Sequence, residues 1–202
     1  MKNVKIILPS AKDCMKESES VNNLILEGTL DFNSLINITR RIKKVGMLDL
    51  LNAEIPDTLP FVDITRHWDI NSIYLPKNIN RLYWYESVVF SSYPRPLYIN
   101  EIESLEAIAI HPDNSMYKSE NGVLFDKTMS KLLMYPRNKS CDKFIIPESV
   151  TEIGEYAFMG CNSTNTIVIP ASVSKIGRNA FFMFDGKIVD LSHVYIEQNE
   201  FM

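Results

Sequence analysis

Residues 145–158 read IIPESVTEIGEYAF and residues 168–181 read VIPASVSKIGRNAF, the same sentence 23 residues later. The second copy keeps Ile-Pro, Ser-Val, Ile-Gly and Ala-Phe and changes mostly the charged positions between them. A fixed period of this length is the mark of a solenoid, in which each repeat supplies one coil and stacking makes the core continuous. In the first copy Phe144 and Ile146 alternate with Ile145, so a strand here buries the first two and turns the third outward. Pro147 cannot donate to a ladder and closes that strand. Val150, Ile153, Ala157 and Phe158 recur at Val173, Ile176, Ala180 and Phe181 and are expected to point inward. Gly154 and Gly177 are expected where the chain bends.

The ladder extends in both directions. Ile196, Asn199 and Phe201 form a degraded third copy, and YLPKNINRL (74–82) aligns with IIPESVTEI (145–153). Two earlier strands, LIL (24–26) and LDL (48–50), flank DFNSLINITRRIKKV. Within it Leu35, Ile38, Ile42 and Val45 mark one face of a helix, with Asp31 or Asn33 as its cap and Gly46 as its end. Anchored on Ile146, the equivalent positions are Leu26, Leu50, Leu75, Ile110, Ile146, Ile169 and Val189, at steps of 24, 25, 35, 36, 23 and 20. Seven rungs at the usual strand separation give a stack roughly 30 Å long, and the two long steps imply insertions.

Composition is that of an ordinary globular chain: 202 residues, 46% hydrophobic, 23% charged, net charge −4. That balance argues against nucleic acid as the partner, since phosphate binding wants a basic face. No apolar run approaches the ~20 residues of a membrane helix, so no membrane insertion is expected. The opening MKNVKIILPSAKDC has too short an apolar run for a signal peptide, so a cytoplasmic location is expected if this chain is the full native product.

No catalytic, cofactor or metal site is legible. His67, His111 and His193 lack partners at ligand spacing, and HPDN around His111 reads as a turn with a solvated imidazole. Neither G-x-S-x-G nor a phosphate-cradling glycine loop occurs. Cys14, Cys141 and Cys161 are scattered, and a buried structural thiol is the expectation for each. Carboxylate pairs such as Glu101 with Glu103 read as solvated faces, and the sequons at Asn37, Asn138 and Asn162 read as chance.

The C-terminal half resembles the BspA-type leucine-rich repeat family. The resemblance is carried by IPESVTEIGEYAFMGC, by IPASVSKIGRNAF and by an insertion, NSMYKSENGVLFDKTMSKLLMYPRN (114–138). In that insertion Asn114, Tyr117, Gly122-Val-Leu-Phe and Leu133-Met-Tyr-Pro match the family's habit. The likeness is strong over about 105–182 and weak before 105, where the coil at 24–50 looks like an ordinary leucine-rich repeat. It implies a curved, non-enzymatic solenoid that adheres to other proteins, host or extracellular-matrix proteins among them, at the cell surface or after secretion. It implies no catalytic residue and no cofactor.

The expected architecture is a single right-handed, curved leucine-rich-repeat solenoid over 1–202, of about seven coils, mostly β with some helix. Residues 21–104 form irregular, helix-containing coils, and 105–202 form BspA-type coils with the 114–138 insertion. Three candidate surfaces follow. Ile25, Asp49, Tyr74, Ala109, Ile145, Val168 and Ile188 line up outward from the strands as a mostly apolar stripe. It is either a partner surface, or covered by the insertions, or out of register by one residue. RLYWYESVVFSSYPRPLYI (81–99) is dense in aromatics, with Trp84 on one strand face and Tyr83 and Tyr85 on the other. At the chain end Lys187, Asp190, Glu197 and Glu200 suggest a polar cap. The function expected is a protein-binding or adhesion module, the alternative an intracellular scaffold using the same surface.

Overall fold

The computed structural model describes residues 2–7, 19–55, 68–80, 99 and 102–194. The N-terminal half is a parallel ladder. Its strands are β1 (Lys2–Ile7), β2 (Glu19–Thr29), β3 (Ile42–Asp49), β5 (Ser72–Leu75) and β6 (Ala107–Ile110), hydrogen-bonded in that order. The short β4 (Ala53–Glu54) pairs with the end of β2. The register runs Lys5–Ile25–Asp49–Tyr74–Ala109, and Leu75 pairs with Ile110. Strand alternation then sends Ile6, Leu24, Leu26, Leu48, Leu50, Ile73, Leu75 and Ile108 into one core, all buried. The first rung, β1, extends the ladder beyond the seven anchors read from the sequence.

The one helix among the described residues, α1 (Phe32–Arg41), is shorter than its sequence pattern. Asp31 caps it by accepting from the Ser34 amide at 3.0 Å. Its end is Arg41, not Gly46, and Ile42 and Val45 belong to β3. A bulge explains the misreading. Glu19 pairs with Ile42 but Ser20 with Lys44, so Lys43 is an extra residue and two inward side chains fall three apart, as in a helix. The indole of Trp68 donates to the Ile42 carbonyl at 3.0 Å and fixes that junction inside the core.

The C-terminal half stacks on two faces. One carries β10 (Cys141–Ile145), β12 (Thr164–Ile169) and β14 (Lys187–Asp190), all parallel. The other carries the two-residue strands β11 (Glu152–Ile153) and β13 (Lys175–Ile176). As the repeat demands, Val150, Ile153, Ala157, Phe158, Val173 and Ala180 are buried, and Ile176 and Phe181 pack against them. Tyr135, Phe158 and Phe181 form a column of rings with centroids 5.4 and 5.1 Å apart, worth about 0.5–1.5 kcal/mol per pair beyond area burial. Gly177 has no unusual backbone angle. Its role is close approach, because a Cβ there would lie 2.5 Å from the Glu155 nitrogen of the coil below.

Between the halves lies the insertion, an antiparallel meander of β7 (Tyr117–Glu120), β8 (Val123–Asp126) and β9 (Lys131–Met134). Its first turn is Asn121–Gly122, with φ of 51° and 79°, the left-handed pair that a two-residue hairpin takes. β9 then pairs with β11, so the meander opens the second face of the C-terminal stack. It is a wall with a core on each side. Leu124, Leu133 and Met134 belong to the N-terminal core; Val123, Phe125, Leu132 and Tyr135 belong to the C-terminal one.

Candidate interaction surface

The wall decides the shape of the outward face. At the far edge of β6, Ile108 donates to the Gly122 carbonyl and Ile110 donates to Ser119 Oγ, both at 2.9 Å. Those donors go to the hairpin, and β10 is not hydrogen-bonded to β6. The expected seven-rung stripe is therefore two rows: Lys5–Ile25–Asp49–Tyr74–Ala109, and Ile145–Val168–Val189. The hairpin of the insertion takes the backbone donors at the β6 edge, where the first row ends.

The N-terminal row is mixed in polarity. Lys5 pairs with Glu27 at 2.9 Å, and Asp49 accepts from the Leu51 amide at 2.9 Å. Ile25, Asp49, Tyr74 and Ala109 are all half-buried. The C-terminal row is apolar. Ile145 is 58% exposed, Val168 in the middle strand only 9% exposed, and Val189 half-buried. Ile188 does not belong to it. It pairs with Ile167 and packs against the core, because the last step of the ladder is 21 residues: Ile169 pairs with Asp190, not Val189. Leu191, two residues past Val189, adds a 51% exposed side chain to the same edge.

One row went unread in the sequence. Lys143, Thr166 and Lys187 pair in register two residues before the apolar row and therefore share its face. Both lysines are exposed, and neither ammonium has an ion-pair partner among the described residues. Five lysines elsewhere reach acids on neighbouring coils or turns, Lys5 to Glu27, Lys44 to Asp69, Lys77 to Asp113, and Lys131 and Lys175 both to Glu152, while Lys43 on β3, like these two, is unpaired among the described residues. The signal was a lysine two residues before the stripe position in two of the three coils.

The other candidates divide. Trp84 and Tyr85 lie outside the described residues, as do Glu197 and Glu200. Lys187 is exposed, whereas Asp190 is half-buried and accepts from the Ser192 amide at 2.8 Å. His111 sits in a turn, its Nδ1 accepting from the Asp113 amide at 3.1 Å. The Cys161 thiol is fully buried and donates to the Tyr135 carbonyl; burial pushes its pKa up to about 12 against an opposing pull from Arg137. A thiol held protonated in a packed core does not serve as a nucleophile. Burial likewise pushes the Tyr135 phenol up to about 12, and its hydroxyl is hydrogen-bonded to Thr164 Oγ1 at 2.8 Å.

Residues 135–202 match the family model described as the BspA type leucine rich repeat region (6 copies). No curated protein matches the chain. Among solved structures it is similar to a leucine-rich repeat protein from Eubacterium ventriosum, at 17% identity over 83% of this chain and 67% of that one, TM-score 0.47. It is also similar to a leucine rich cell surface protein from Faecalibacterium prausnitzii, at 16% identity over 83% of this chain and 45% of that one, TM-score 0.48. A third is the pneumococcal vaccine antigen PcpA, at 14% identity over 86% and 46%, TM-score 0.44. The chain thus spans less than half the length of the latter two.

Proposed function

On the premise that the chain carries a BspA-type leucine-rich repeat region, we propose that it is a non-enzymatic protein-binding module acting in recognition or adhesion at a cell surface. The observation that carries this reading is the outward row of β10, β12 and β14, where Ile145 leaves 58% of its surface in solvent beside Val168 and Val189. An aliphatic side chain kept outside by strand alternation, with half-buried Val189 on the same face, supplies the apolar centre that a protein interface needs. Host and extracellular-matrix proteins are the partners to try first.

The test is capture of such proteins by the wild type and by Ile145→Asp/Val189→Asp, with circular dichroism as the fold check. Loss of a specific partner with an unchanged spectrum supports the reading, and undiminished capture overturns it. An intracellular scaffold using the same face is the alternative. Labelling intact producing cells with an antibody to the chain separates the two, since only a surface module is stained without permeabilisation.

A further inference from the structure

The row of Lys143, Thr166 and Lys187 gives the proposed interface a chemical sign. We propose that the outward face of β10, β12 and β14 takes a polypeptide segment that is acidic along one side and apolar along the other; this deepens the protein-binding reading and rests on it. Two observations argue it. Lys143 and Lys187 are exposed and lack ion-pair partners among the described residues, as does Lys43, whereas Lys5, Lys44, Lys131 and Lys175 are matched by acids on neighbouring coils. They also lie in register beside Ile145, Val168 and Val189, with Leu191 extending the apolar edge. A carboxylate brought against either ammonium at the rim of an apolar contact is partly desolvated, where opposite charges attract more strongly than in open water.

Spacing narrows the occupant. Lys143 and Lys187 are two strand separations apart, about 10 Å. Carboxylates one heptad apart on an α-helix are separated by about 10.5 Å. Same-face side chains of an extended chain fall at about 7 and 13 Å, and neither matches. An amphipathic helix laid across the three strands, acids toward the lysine row and aliphatics on Ile145 and Val189, satisfies both rows together.

The experiment is selection from a displayed library of random 16-residue peptides against the full chain. In parallel, Lys143→Glu/Lys187→Glu and Lys143→Arg/Lys187→Arg are tested against the enriched peptides. The expected result is enrichment of acidic, aliphatic-rich sequences whose affinity falls at least tenfold in the Glu variant, holds in the Arg variant, and weakens as salt rises from 50 to 300 mM. Enrichment of neutral or basic peptides, or of peptides indifferent to the Glu variant, overturns the sign of the partner while the binding-module reading stands. Failure of the library to enrich at all overturns this inference, and the capture experiment then decides the broader reading separately. Binding instead to vesicles containing an anionic lipid, lost in the Glu variant, also overturns it, since the face would then be reading a membrane. A homodimer in solution broken by the Glu variant overturns it too, the occupant being a second copy of this chain.

Discussion

Leu124 and Phe125 are consecutive residues of one strand and belong to different hydrophobic cores. Strand alternation alone produces this, because successive side chains leave opposite faces. What is particular to this chain is that both faces of β8 are covered, so an insertion within a solenoid becomes the seam that joins its two ladders. On the outward face of β10, β12 and β14, Ile145 stays 58% exposed while Val168 beside it is 9% exposed.

Asn114 holds the seam to the coil before it. Its buried side-chain amide donates to the carbonyls of Pro76, Lys77 and Ile79 at 2.8–3.3 Å and accepts from the amides of Met116 and Tyr117. Asn114→Ala strands both sets of groups and is expected to cost about 2–4 kcal/mol in urea unfolding. Asn114→Asp keeps the acceptor and loses the donors, and is expected to be as costly, since it sets a carboxylate against three carbonyl oxygens. A loss below about 0.5 kcal/mol in both would show that the clamp does not act.

Met183 stands where the previous coil has Gly160, and both are left-handed, with φ of 56° and 63°. A methionine there carries a conformational cost of about 1–2 kcal/mol that glycine largely avoids, and its side chain is 61% exposed, so little burial is lost with it. Met183→Gly is expected to raise stability by about 0.5–1 kcal/mol. Gly160→Ala should lower it by more, because its Cβ would also sit 2.8 Å from the Arg137 guanidinium. Thermal unfolding of the two variants should move in opposite directions.

Much of this was legible. The Ile-Pro, Ser-Val, Ile-Gly, Ala-Phe pattern repeats because each coil must present the same side chains to the next, so Ile146, Val150, Ile153 and Phe158 could be placed by alignment alone. The register from Leu26 to Ile110 held for the same reason. The helix end was misread because a bulge at Lys43 gives a strand the three-residue spacing of a helix. The last rung slipped by one because KIVDLSHV puts Asp190 at the anchor and lacks the proline that follows Leu75, Ile146 and Ile169. The Asn121–Gly122 hairpin had a plain turn signal that went unread, and the wall it begins needs knowledge of two cores that no local pattern contains.

Glu152 sits in register between Lys131 and Lys175, with Nζ–O distances of 2.7 and 3.0 Å. Burial pushes its carboxyl up, but hydrogen bonds and charge attraction from the two lysines outweigh that and hold it below the ordinary value of 4.5. A lowered folded pKa means stability that is present above the unfolded value and lost as pH falls through the folded one. The difference in unfolding free energy between wild type and Glu152→Gln is expected to be about 0.5–1 kcal/mol at pH 7, kept small by solvent screening of the exposed lysines, and to shrink below pH 4.5. A difference independent of pH would refute the assignment.

The most direct test of the seam is urea unfolding of Leu124→Ala and Phe125→Ala, measured side by side. Both residues are almost fully buried, on opposite faces of one strand. If β8 is a wall between two cores, each truncation costs about 2–5 kcal/mol. If one of the two is nearly neutral, β8 has a core on one side only, and the insertion is a flap rather than a seam.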